Sequence, residues 1–138
     1  MIKLFEQYNE FTNVKQWLDD MEIKKYVIND DLSVDVNGDV LLYKKGLSEI
    51  PVQFNRVDGF FNCANNQLTS FKNFPIYIGG YFQYKDNPLP EEIFNERPET
   101  IKAYIRNQQD YNIFHSDGTF YKDKWIMFLN DYKAGILN

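Results

Sequence analysis

The sequence predicts an α+β fold: a short solenoid of parallel strands over residues 36–89, closed by a helix-and-hairpin cap at 1–35 and a helical cap at 90–138. Three observations carry this prediction. Segments 36–47, 57–68 and 78–89 repeat one another at a constant offset of 21 residues, with no gap. Gly38, Gly59 and Gly80 fall in register, as do Leu47, Leu68 and Leu89. On either side of this block the apolar spacing becomes helical. A strict period in the twenties belongs to chains in which each repeat buries its apolar edge only against its neighbours.

In chain order, Leu4, Phe5, Tyr8 and Phe11 are spaced for one face of a short helix, and Val14, Trp17, Leu18 and Met21 for a second. Asn13 with Gln16 three residues on predicts a cap between the two. The period then drops to two, with Tyr26 and Ile28 followed by Leu32, Val34 and Val36 around Asp30 and Asp31, which predicts a hairpin. Its expected role is to cover the open edge of the first repeat strand.

Each repeat reads as a glycine turn, a short strand, a second turn and an apolar anchor. The inward positions are Val40 and Leu42, Phe61 and Cys63, then Phe82 and Tyr84; the anchors are Leu47, Leu68 and Leu89, with Ile50 and Phe71. Asn66 and Asn87 stand two residues before their leucines, where a buried amide can bond the backbone between repeats. Lys45 holds that place in the first repeat, as expected of an exposed terminal turn. The glycines are expected to relieve crowding and to supply positive φ at the turn into each strand. After Leu89, Pro90 with Glu91 and Glu92 opens a helix that Pro98 ends. Ile101, Tyr104 and Ile105 mark another helix. A turn at 116–118 precedes Trp125, Phe128, Leu129 and Tyr132, an amphipathic helix that Gly135 can end.

The segment from Phe61 through Asn62, Cys63, Asn66 and Leu68 to Phe71, together with Ile78, Gly79, Gly80 and Phe82, resembles the short leucine-rich repeats of bacterial and tailed-phage proteins. Leu41 to Tyr43 with Gly46 and Leu47 resembles the first repeat of the phage-type members, which also place a helix and hairpin ahead of their repeats. Phe54 and Phe71 stand where leucine is usual, which implies a more aromatic core. The resemblance covers 36–89 and implies an arc of strands whose concave face recognises another macromolecule. For phage-type members the implied partner is a host protein that is inhibited or modulated, in the host cytoplasm.

Composition narrows the function classes. At 138 residues, with 43% hydrophobic and 17% aromatic content, the chain forms one domain with a sizeable core. Its one cysteine excludes a disulfide framework. The first residues lack a signal peptide's apolar run and nothing approaches a membrane span, so a cytoplasmic protein is the expectation. The net charge of −5 is concentrated at the start: residues 1–35 carry eight acids and four bases. Without a basic face, direct nucleic-acid binding is disfavoured.

No catalytic set, phosphate loop or dinucleotide fingerprint is present, so no enzyme, cofactor or metal is expected. Cys63 and His115 are each the only residue of their kind, but the repeat register turns Cys63 inward as an apolar filler. Residues 35–39 form a repeat turn rather than a calcium loop. Positions flanking the inward ones point to the other face of the strands. They stack as Asp39/Phe60/Tyr81, Leu41/Asn62/Gln83 and Tyr43/Ala64/Lys85. Leu41, Tyr43, Phe60 and Tyr81 place apolar side chains where water is expected, unless the caps fold over them. A protein-binding strip is the first reading. The alternatives are an acidic mimic of nucleic acid using Asp19, Asp20, Asp30 and Asp31, and a self-assembling structural protein.

Overall fold

The computed structural model describes residues 2–115, 117 and 119–137, with the backbone alone over 2–7. Among these residues it is a mixed α and β structure with four helices and two sheets dominated by parallel pairing. The strands are β1 (Tyr26–Ile28), β2 (Val34–Val36), β3 (Val40–Leu41), β4 (Phe54–Val57), β5 (Phe61–Asn62), β6 (Tyr77–Ile78) and β7 (Phe82–Gln83). The first sheet has the order β1-β2-β4-β6, with only β1 and β2 antiparallel; the second has the order β3-β5-β7 and is wholly parallel.

The repeat sets the register. Val40, Phe61 and Phe82 pair side by side, as do Leu41, Asn62 and Gln83. The inward residues Val40, Leu42, Phe61, Cys63, Phe82 and Tyr84 are all buried. Every repeat carries a second strand ahead of its glycine, of which the sequence reading had only the first, as a hairpin strand: Val36, Val57 and Ile78 align in the first sheet. Its period is masked because the β2–β4 pairing shifts between Val34 and Asp35, so Val34 meets Phe54 rather than the residue 21 positions on.

Between the sheets the glycines stack. Gly59 N–H donates to Gly38 O at 3.0 Å and Gly80 N–H to Gly59 O at 2.9 Å. A Cβ on Gly59 would lie 2.8 Å from the Gly38 carbonyl, and one on Gly80 2.8 Å from Gly59. Crowding is therefore the reason for Gly59 and Gly80, as expected, but not for Gly38, where a Cβ would meet only the Lys25 side chain at 4.0 Å. Positive φ is the reason for none of the three: the left-handed residues of the repeat are Lys44, Asn65 and Asp86, at φ of 53°, 58° and 57°, just after each strand.

Residues 2–20 form one helix, α1 (Ile2–Asp20), not two. The expected cap fails because Gln16 bonds Asp20 at 2.8 Å and Thr12 bonds back to Tyr8 O, both within a continuous helix. Trp17 lies edge-on to Phe54, and Leu18 and Ile23 are buried; the side chains of Leu4 and Phe5 lie outside the described residues. The hairpin forms as expected, Tyr26 opposite Val36. However, it extends the first sheet and does not cover β3, because β2 is itself the first rung of that sheet.

After the repeats come α2 (Glu91–Phe94), α3 (Pro98–Asn107) and α4 (Lys122–Lys133). Pro98 begins α3 rather than only ending α2, since a helix's first turn needs no N–H at that position. Of the expected turn at 116–118, only Asp117 lies within the described residues; it accepts from Thr119 N–H and Oγ1, and Phe114 bridges Phe120 beside it. Gly135, at φ of 73°, follows α4. Lys102 Nζ on α3 donates to the carbonyls of Ile78 and Gly80, both at 3.3 Å. One apolar core runs from Leu18 through the rungs to Phe128. Its centre is aromatic: Phe71 contacts Phe74, Tyr84, Tyr104 and Phe114 at ring separations of 5.2 to 6.2 Å.

Candidate functional site

The outward face of the β3-β5-β7 sheet carries the residues singled out from the sequence. Because inward side chains are fixed by the core, the residues between them must point away from it. Leu41 is 53% exposed, Tyr43 50%, Phe60 49% and Tyr81 56%; among the described residues no cap covers them. The rings of Phe60 and Tyr81 meet edge to face with centroids 6.1 Å apart. Asp39 stands at the head of its column, and its Oδ1 accepts the Phe60 N–H at 2.7 Å.

Past Leu41 the middle column is polar, and its two amides are held in place. Asn62 Oδ1 accepts from Ala64 N–H at 3.1 Å, and one rung on Gln83 Oε1 accepts from Lys85 N–H, also at 3.1 Å. Gln83 also donates to the Tyr81 hydroxyl at 2.7 Å. Both amides are half-buried, while Lys85 is exposed. Ala64 departs from the expectation: it is buried, its short side chain lying below its neighbours. The result is a shallow strip with two apolar margins, Phe60 with Tyr81 and Leu41 with Tyr43, around a fixed polar centre.

The sequence reading missed the residues beside this strip. Met21 and Glu22, from the end of α1, face Asp39, Leu41, Tyr43 and Lys45 across an open trough of about 320 Å³. Periodicity marks Met21 only as part of an apolar helix face and does not mark Glu22; their place beside the strip follows from where α1 stops.

The other candidates sit elsewhere. Cys63 is fully buried, its thiol 3.5 Å from Gln83 O, and burial pushes its pKa well above the ordinary thiol value. A thiol held protonated in this way is a poor nucleophile. His115, half-buried, lies in the strap before α4, where its N–H bonds Thr119 O. Asp35 accepts from Asn29 and Asn55, and Asp39 from Phe60, as turn residues do. Among the described residues no group of three or more His, Cys, Asp or Glu is placed to hold a metal ion.

Of the four acids in the nucleic-acid-mimic reading, Asp19 bonds Lys15 and Tyr26, Asp20 bonds Gln16, and Asp31 bonds Ser33. The Lys15 hydrogen bond first, then Tyr26, lowers the Asp19 pKa, and the Ser33 hydroxyl does the same for Asp31. Three of these carboxylates are thus engaged locally. Among the described residues no helix is long and apolar enough to cross a membrane.

The fold and its site define a mixed α and β protein of parallel rungs with an exposed aromatic strip. Compared with known protein families, curated proteins and solved structures, the chain has no significant match.

Proposed function

We propose that this chain is a non-catalytic protein-binding module, built as a short leucine-rich-repeat solenoid whose outward strip docks on another protein. One observation carries the reading: four large apolar side chains, Leu41, Tyr43, Phe60 and Tyr81, stand half-exposed on one sheet face whose register is fixed from below. Clusters of this kind mark interaction surfaces, and aromatic anchors dominate the energy of such contacts. The 21-residue parallel stacking supports the solenoid assignment, and the helix and hairpin ahead of it fit the phage-type resemblance. The partner is then a host protein met in the cytoplasm, and its inhibition or modulation is the functional outcome.

Phe60→Ala with Tyr81→Ala tests this directly. Each ring is half-exposed in the free chain, so the pair should leave the melting temperature nearly unchanged. Loss of each anchor should weaken partner binding by about 2 kcal/mol. Affinity capture from host extract, with the double variant as control, is the measurement. Proteins retained equally by both chains exclude the strip. A contact of this apolar kind should also survive raised salt, whereas docking through the acids of 1–35 should fade with it.

A further inference from the structure

The strand β3 ends its sheet with no further strand beside it among the described residues, only the open trough with Met21 and Glu22 on its far side. It pairs with β5 alone, Val40 N–H reaching Phe60 O at 2.8 Å and Leu42 N–H reaching Asn62 O at 2.7 Å. Alternation along a strand then turns the main-chain groups of Leu41 and Tyr43 the other way, toward the open trough. Among the described residues those N–H and C=O groups have no hydrogen-bond partner. The hairpin that would have covered this edge lies in the other sheet. At the far end of the rungs the situation differs: Lys102 bonds the carbonyls of Ile78 and Gly80, and Tyr84 stacks on Phe94 of α2. An uncovered edge offers a ready template for another strand.

The charges along this edge select the occupant. Asp39 precedes the strand and Lys44 with Lys45 follow it; all three are exposed, and neither lysine has an ion pair among the described residues. A like strand laid parallel would set acid against acid and base against base. Laid antiparallel, it brings each Asp39 toward the other's Lys44 and Lys45.

We propose that two copies of this chain join edge to edge through β3, antiparallel and centred on Leu41. Leu41 faces its counterpart, exchanging both main-chain hydrogen bonds, and Asp39 lies opposite the other copy's Tyr43. The two three-stranded sheets become one sheet of six. Cross-strand pairs share a face, so both aromatic strips lie on the same side. This goes beyond the binding role proposed above and does not depend on it.

Sedimentation equilibrium across a concentration series, with Leu41→Pro as the variant, tests the proposal. Proline removes an N–H that the chain's own ladder does not use, a position where an edge strand tolerates it. The expected result is a species of twice the 16.5 kDa chain mass for the native sequence. Leu41→Pro should weaken association about tenfold or more, since the symmetric contact loses a bond on each side, with an unchanged far-ultraviolet spectrum.

Amide hydrogen exchange on the native chain settles the matter if Leu41→Pro does not fold. Protection at Leu41 and Tyr43 that rises with protein concentration supports the pairing. A chain that stays monomeric overturns the proposal and leaves the edge to a strand from another protein. A dimer whose Leu41 amide exchanges freely overturns it as well. Phe60→Ala with Tyr81→Ala should leave the mass unchanged, so failure here and failure of the binding role are separable.

Discussion

Asn66 concentrates the logic of the repeat in one side chain. Its Oδ1 accepts from the N–H groups of Lys45 and Leu47, both at 3.0 Å, and its amide donates to the carbonyls of Leu42, Cys63 and Ala64. Asn87 repeats the pattern one rung on, accepting from Leu68 and donating to Cys63, Tyr84 and Lys85. The turns between rungs have no ladder of their own, and a buried amide supplies both donor and acceptor there. Asn66→Ala should therefore cost about 2 to 4 kcal/mol, because several buried main-chain groups lose their partner together; urea unfolding midpoints will measure it. This role was legible in the sequence because the two asparagines recur at the period of 21. The left-handed residues were not legible as a set. Asn65 and Asp86 favour that conformation, but Lys44 does not announce it.

Among elements, the glycine column shows how tightly the rungs approach. Gly59→Ala would drive a methyl group into the Gly38 carbonyl and the Asp39 carboxylate, displacing the bond that Asp39 makes to Phe60 N–H. The expected loss is about 2 kcal/mol, typical of an overpacked contact that backbone cannot relieve. Gly46→Ala meets nothing within 4 Å and should cost only its left-handed backbone, at φ of 69°, about 1 kcal/mol. Thermal melts of the two variants should thus rank Gly59→Ala as the more damaging.

The inward and outward assignment on β3, β5 and β7 could be read from sequence because a slip of one residue would turn Phe61 and Phe82 outward. The second strand of the later rungs could not, since the shifted pairing at Val34 breaks the period. α1 was read as two helices because its apolar residues form two clusters. Local polar bonds at Thr12 and Gln16 keep it continuous.

At the scale of the whole molecule, one core joins the rungs to the C-terminal helices through tyrosines that resist ionisation. Burial, with Glu99 and Glu96 nearby, raises Tyr84 to about 12. Burial also raises Tyr104, whose ring meets Phe71, Trp125 and Phe128. The hydrogen bond to Asp131 on α4, 2.5 Å long, and then burial raise Tyr111 to about 12. In the unfolded chain these hydroxyls ionise near the ordinary 10. Above that pH the unfolded state therefore holds fewer protons than the folded one. Stability is full below pH 10 and falls as pH rises toward 12.

Urea midpoints across that window should drop. Tyr111→Phe should start lower, lacking the bond to Asp131, but fall less steeply. That the first repeat strand has an open edge was legible in the sequence; that the hairpin leaves it uncovered was not, because this follows from how distant segments meet and not from any local pattern.

Lys102 has a consequence for how far such molecules can extend. A stack of parallel strands grows without limit if copies can add at both ends. Here the C-terminal end is plugged, by an ammonium group in one sheet and by Phe94 against Tyr84 in the other. Any contact made through the remaining free end uses up the growth point on both molecules at once. Assembly by that route halts at a closed pair and cannot propagate into a filament.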